Sequence, residues 1–333
     1  MQLAFLLLSA LAVLHSVLHS VLAGAAGSPG SPGRLRIVGG LETSIERFNY
    51  QASIQHSGTG QHNCGGSIVS PRWILSAAHC FYRDPSPASW QVRVGTSTWA
   101  DGGVVHELDR VEAWPEFSED DFKTDVALVL LKTAIAFDER AQPVALTSRG
   151  AAGQARPGSY GTVTGWGQLG YWLFDLPSTL RVARLRFMDP DVCTMAYSDG
   201  VPPFAETMVC ASTYAKDACT GDSGGPLVSD RRVQVGIVSW GQGCAEYGRP
   251  GVFTDLSHPD VFDFIKQTMA GEDDVVEDAV EDAVEDAVED AVEDAVEDAV
   301  EDAVEDAVED AVEDAVEDAV EDAVEDAVER GHD

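Results

Sequence analysis

The sequence predicts an all-β fold closed by one C-terminal helix, and three observations predict it. Ten short apolar runs, SIQH, GSIVS, RWILSAA, WQVRVG, VALVLLK, GTVTGWG, LRVARLRF, PLVS, VQVGIVSW and GVFT, are separated by clusters of Gly, Pro, Asp and Ser. Strands of that length with turn signals between them build a barrel or a sandwich. HPDVFDFIKQTM (258–269) is the exception: Val261, Phe262, Ile265 and Met269 recur at helical spacing after Pro259, so it reads as one helix laying its apolar face on the body. The third observation is charge. Of 57 acids and 21 bases in 333 residues, 31 acids and a single base (Arg330) fall in residues 272–333, leaving a mildly acidic remainder of ordinary globular composition. Neither part has the basic stripe that nucleic-acid binding needs, so no nucleic acid is expected as a partner.

Taken from the N-terminus, residues 1–23 read as a secretory signal peptide. An apolar run from Leu3 to Leu22 ends in small residues suited to cleavage, although no Lys or Arg precedes it. The competing use of such a run is a membrane anchor; no other run of that length occurs, so the mature protein is expected to be secreted and free of the membrane. Residues 24–36, GAAGSPGSPGRLR, are small, rich in Pro and Gly, and end in two arginines, the composition of an exposed linker. The folded region then runs from 37 to 271.

Residues 272–333 contain thirteen consecutive EDAV copies, Glu277 to Val328. A four-residue period advances about 400° around a helix, so the valines drift about 40° per copy and never share a face. Acids meet acids four residues on, without Lys or Arg to offset them, so the segment is expected to be extended and disordered at neutral pH. The simplest account is a neutral repeat expansion; weak cation binding, attraction to cationic surfaces and solubility are the alternatives.

Six cysteines, Cys64, Cys80, Cys193, Cys210, Cys219 and Cys244, in an exported chain predict three disulfides, whose pairing the sequence leaves open. Zinc is the alternative use, but no C-x-x-C spacing supports it, so neither a metal nor another cofactor is expected. Asn49 and Asn63 are the only asparagines and neither begins a sequon, so N-glycosylation is not expected either.

The chemistry sits in three segments. LSAAHC carries His79, TDVALVLL carries Asp125 and DACTGDSGGP carries Ser223. Each alone is weak, since a serine among glycines is usually a turn and a lone histidine is usually structural. Together, in the order His, Asp, Ser and downstream of IVGG, they resemble the trypsin/chymotrypsin family of serine proteases, and the resemblance covers residues 37 to about 270. It implies two six-stranded antiparallel β-barrels with a C-terminal helix and the active site between them. It also implies a serine endopeptidase working through an acyl-enzyme, with protein or peptide substrates and protein protease inhibitors as partners, and a monomer.

The residue types suit those roles. A serine hydroxyl is a poor nucleophile until a base takes its proton; His79 titrates near neutrality and can return that proton to the leaving amine. Asp125 would hold the imidazole tautomer, and the backbone N–H groups of Gly221 and Ser223 would form the oxyanion hole. By the same resemblance Asp217 lies at the base of the specificity pocket, with Gly241 and Gly251 on its walls, favouring Arg or Lys at the cleaved position. Typical trypsins carry serine where this chain has Ala218; its loss removes a hydroxyl that helps coordinate an ammonium, so Arg is expected over Lys. Ser239, Trp240 and Gly241 would hold the substrate backbone, and Phe122 would crowd the neighbouring subsite or simply pack. Cleavage of GRLR↓IVGG after Arg36 would free Ile37 to pair with Asp222, making residues 24–36 an activation propeptide and the chain a zymogen. The resemblance further selects the pairs Cys64–Cys80, Cys193–Cys210 and Cys219–Cys244. Two features depart from it. Gly161 and Ser229 stand where many vertebrate members place a further bridge, and TSTWADGGVVHE does not match the calcium loop. The reading from another class is a catalytically silent homologue that binds a partner and is localised by its acidic tail.

Overall fold

The computed structural model describes residues 40–151, 155–170, 175–198, 206–214 and 216–270. The segments expected to be a signal peptide and a propeptide ending at Arg36, the Ile37 that follows, and the EDAV segment lie outside the described residues. The chain divides into two compact units, Met1–Thr268 and Met269–Asp333, and the barrels described below belong to the first.

Strand alternation explains the architecture. In β2 (Gln51–His56), Ala52 and Ile54 alternate with Gln51, Ser53 and Gln55, yet all five residues are buried. Successive side chains point to opposite faces of a strand. One face therefore fills a barrel and the polar face meets something other than water. The barrel is closed by β2, β3 (His62–Ile68), β4 (Trp73–Ser76), β7 (Ala127–Leu131), β6 (Val104–Ala113) and β5 (Trp90–Val94), paired antiparallel in that order, with β5 returning to β2. Strand β7, ALVLL, is buried throughout, consistent with its unbroken apolar run.

A second ring of six antiparallel strands joins β9 (Tyr160–Gly165), β10 (Arg181–Phe187), β11 (Met208–Ser212), β14 (Gly251–Asp255), β13 (Val233–Trp240) and β12 (Pro226–Ser229), which pairs back onto β9. Val163, Leu185, Phe187, Leu227, Val235 and Phe253 pack its interior. Two short strands decorate the second ring: β1 (Leu41–Glu42) runs antiparallel on β10 and β8 (Ala145–Leu146) parallel on β13. The polar face of β2 meets this second barrel. Thr164 Oγ1 donates to Gln51 Oε1 at 2.5 Å, and Ser67 Oγ on β3 donates to Gln234 Oε1 on β13 at 2.7 Å. The seam between the barrels is thus polar and hydrogen-bonded, which is the condition for burying such groups at little cost.

Among the described residues, two α-helices complete the fold. Asp189 caps α1 (Pro190–Ala196), accepting the Asp191 N–H at 2.9 Å, and Pro190 occupies the first turn where no amide partner is needed. Residues 259–270 form α2, with Val261 and Ile265 buried, Phe264 edge-on to Trp114 at 5.4 Å, and Asp263 paired with Arg149 at 2.9 Å. The cysteines pair as Cys64–Cys80, Cys193–Cys210 and Cys219–Cys244, with no free cysteine among the described residues.

Candidate active site

The site is assembled from loops of both barrels. His79 lies on a short 3-10 turn (Ala78–Cys80) that ends β4, and Asp125 precedes β7, the strand paired with β4. That pairing brings the two side chains together: His79 Nδ1 is 2.7 Å from Asp125 Oδ2, and the His79 amide donates to Asp125 Oδ1 at 3.0 Å. Asp125 is fully buried, and Ser239 on β13 donates its hydroxyl to Oδ2 at 2.5 Å. Thr254 of β14 reaches the Asp125 carbonyl at 2.8 Å, so the second barrel braces the carboxylate that orients the imidazole. Burial opposes protonation of His79, but the charge and hydrogen bond of Asp125 outweigh it and hold its pKa above the ordinary histidine value. With Nδ1–H given to Asp125, Nε2 carries the lone pair.

Ser223 comes from the loop before β12. Together with His79, Phe122, Asp217, Trp240 and Gly251 it lines one cavity of about 260 Å³. The loop is a succession of used amides: Asp222 N–H to the Cys219 carbonyl at 2.8 Å, Gly224 N–H to Val238 at 2.8 Å, and Gly225 N–H to Asp222 at 2.9 Å. The Ser223 carbonyl accepts from Gly65 of the first barrel at 2.7 Å. Gly221 has φ +96° and Gly224 φ +78°, conformations that glycine adopts without strain.

Asp222 is fully buried. Its carboxylate accepts the N–H groups of Gly167 at 2.8 Å and Cys219 at 2.9 Å, and burial pushes its pKa up to about 6 against them. The GWG motif has a steric reason: a Cβ at Gly165 or Gly167 would collide with this carboxylate. Asp217 sits at the base of the cavity, 3% exposed, accepting the amides of Ala218 at 2.9 Å and Ala245 at 3.1 Å. Burial raises its pKa to about 7, these two donors oppose the shift, and nearby Asp222 adds to it. A Cβ on Gly251 would stand 2.5 Å from Asp217 Oδ1, whereas one on Gly241 would meet nothing nearer than 3.8 Å and would project into cavity space.

Phe122 lines the cavity with φ +52°, its ring 5.7 Å from His79 and 5.7 Å from Phe117, which in turn packs on Tyr82. Trp240 stacks edge-on against Tyr197 at 4.6 Å. One contributor was not visible in the sequence. Buried His62 on β3 contacts the Gly221 carbonyl through Nε2 at 2.8 Å and the Ser53 hydroxyl through Nδ1 at 2.8 Å. The one available signal was the run of polar residues alternating along β2, which marks a buried polar seam. Arg36 and Ile37 lie outside the described residues, so the activation pair with Asp222 is not among the contacts seen. Among the described residues, the one group of three side chains at metal-ligand spacing is Cys64, His79 and Cys80, and its two sulfurs are joined to each other.

Among the described residues no helix is long and apolar enough to cross a membrane. A family model described as Trypsin matches residues 37–265. The chain is similar to trypsin delta of Drosophila melanogaster, 37% identical over 222 residues, covering 67% of this chain and 85% of the relative. It is 38% identical to trypsin beta of Drosophila erecta over 223 residues, covering 67% and 85%. It is also 38% identical to trypsin alpha-4 of Lucilia cuprina over 225 residues, covering 67% and 84%.

Proposed function

Because this chain belongs to the trypsin family and is a serine endopeptidase, we propose that it is a secreted zymogen that, once cleaved after Arg36, hydrolyses peptide bonds following Arg, and less readily Lys. The observation that carries the specificity is Asp217, a carboxylate 3% exposed at the base of the cavity, with two backbone amides as its partners among the described residues. An incompletely compensated buried carboxylate favours a ligand that brings a cation to it. Ala218 offers its amide and no hydroxyl, so a guanidinium forking onto both carboxylate oxygens gains more than an ammonium.

In this reading Ser223 Oγ attacks the scissile carbonyl while its proton passes to His79 Nε2. Asp125 stabilises the imidazolium across the 2.7 Å contact without taking the proton itself. The oxyanion is received by the N–H groups of Gly221 and Ser223, each of which contributes about 3–4 kcal/mol in the transition state. His79 then protonates the leaving amine, and the acyl-enzyme is hydrolysed by water activated at the same Nε2. Ser239, Trp240 and Gly241 hold the substrate strand alongside β13. Before cleavage, the amine that would pair with Asp222 is locked in the Arg36–Ile37 peptide bond. Burial that keeps the Asp222 pKa near 6 in the absence of a cation supports this partner, because an inserted ammonium would stabilise the charged form.

The test uses the purified secreted chain before and after trace trypsin, assayed on matched peptide anilides ending in Arg, Lys and Phe, with N-terminal sequencing. Activity that appears only with an IVGG terminus, with Arg above Lys and Phe negligible, is the expected result. An IVGG terminus without hydrolysis would remove the catalytic reading and leave a binding protein in its place.

A further inference from the structure

We propose that reductive opening of the Cys64–Cys80 disulfide creates a zinc site from the two sulfurs and His79, and that zinc held there stops hydrolysis. The switching half rests on the reading of His79 as the base; the binding half rests on geometry alone.

Cys80 follows His79 on the same 3-10 turn, and its Sγ lies 3.9 Å from His79 Nε2. One ligand atom from each of Cys64, His79 and Cys80 falls within 4.8 Å of the other two. Tetrahedral zinc, with Zn–S near 2.3 Å and Zn–N near 2.0–2.1 Å, holds its ligand atoms about 3.6 Å apart. Closing on a metal therefore needs only side-chain adjustment. A second feature favours zinc independently. Asp125 already takes His79 Nδ1 at 2.7 Å, the carboxylate–imidazole arrangement that orients a zinc-binding histidine and raises its basicity, and it leaves Nε2 as the ligand atom. The fourth position is left to water, and His79 itself lines the cavity.

In the oxidised protein the sulfurs are bonded to each other and are poor ligands. A phosphine reductant attacks one sulfur, the S–S bond breaks, and water delivers its oxygen to phosphorus. The products are a phosphine oxide and two thiols. Zinc then displaces both thiol protons and receives three ligands. Cys64 and Cys80 are 3% and 7% exposed, so opening is slow, but the state that follows is well defined. Nε2, the lone pair that would take the Ser223 proton, is then spent on the metal.

The experiment uses the activated full-length chain, treated with a water-soluble phosphine and desalted without oxygen, with cobalt(II) as the spectroscopic probe. The expected result is a thiolate-to-cobalt charge-transfer band with intense visible bands in the reduced protein, absent from the oxidised protein. The same treatment of a Cys64→Ser/Cys80→Ser variant, which keeps the other four cysteines, should give no such band. His79→Ala should keep the charge-transfer band and change the visible ones. Zinc should inhibit the reduced enzyme at concentrations roughly 100-fold below those needed for the oxidised form, reversibly with a chelator. An equal band in the double-serine variant, or an unchanged visible spectrum in His79→Ala, overturns the site. So does a far-UV circular dichroism spectrum that collapses on reduction and is not restored by cobalt. Cobalt binding with undiminished hydrolysis leaves the metal site standing and removes the switch together with the base role of His79.

Discussion

His62 Nε2 lies 2.8 Å from the carbonyl oxygen of Gly221, tying a strand of the first barrel to the loop that carries Ser223. Burial lowers the His62 pKa to about 4, so the ring is neutral at working pH. It can then donate from Nε2 while Nδ1 accepts from Ser53. The Gly221 peptide is thereby held in one orientation, beside the amide proposed to receive the oxyanion. His62→Ala should lower kcat on an Arg anilide about tenfold, equivalent to about 1.4 kcal/mol, with KM nearly unchanged. Steady-state kinetics decide it; a change confined to KM would contradict the role.

The carboxylate proposed to set specificity should make binding depend on pH. Asp217 has a folded pKa raised to about 7, so a cationic ligand must find it deprotonated. Affinity for an amidine such as benzamidine should rise as pH increases toward 7 and level off above it, with roughly tenfold per unit as the limiting slope. The same raised pKa contributes stability that is fully present below the ordinary carboxylate range and is lost as pH rises through 7. Calorimetric titrations from pH 5 to 8, and melting curves without ligand, should both flatten in Asp217→Asn.

Three glycines should respond differently to alanine. In Gly167→Ala the new Cβ strikes the Asp222 carboxylate, and in Gly251→Ala it stands 2.5 Å from Asp217. Each should cost about 1–3 kcal/mol of stability, by overpacking against a fixed acid. Gly241→Ala meets no protein atom nearer than 3.8 Å, so its stability should be unchanged while KM for Arg substrates rises. Denaturant midpoints alongside kinetics separate the two classes.

Phe122 holds a left-handed backbone, φ +52°, at the edge of the cavity. Phe122→Gly relieves roughly 1–2 kcal/mol of backbone strain and also removes the ring. Peptides with a bulky residue just before the cleaved Arg should gain in kcat/KM over matched glycine peptides. An unchanged ratio would make the ring a packing element only.

How legible this was from the sequence varies by residue. The ten apolar runs all overlap strands, because each carries β-branched or aromatic residues and is bounded by turn-forming ones. Strand β6 was missed: VVHELDRVEA mixes four charged residues with its apolar ones, and only His106 and Leu108 on it are buried. Helix α1 was missed as well, although its Asp-Pro start was in plain view, since only Cys193 of its seven residues is buried and no apolar stripe announces it. Likewise Ser239 reads from sequence as a substrate contact, whereas its hydroxyl is also held at 2.5 Å by the Asp125 carboxylate. That bond, like His62 on Gly221, joins residues more than a hundred positions apart. Local pattern carries no information on such pairs until strand pairing brings them together.

His79 and Asp125 hang from one barrel and Ser223 from the other, and the Gly65–Ser223 hydrogen bond crosses the seam between them. In the proposed mechanism, a molecule in which only one barrel has formed therefore owns part of the triad and can cut nothing. Newly made chains, crowded and partly unfolded, are the easiest proteins to digest. Dividing the machinery between two barrels keeps each immature copy harmless to its neighbours until its own folding is finished, a safeguard that acts before any propeptide is removed.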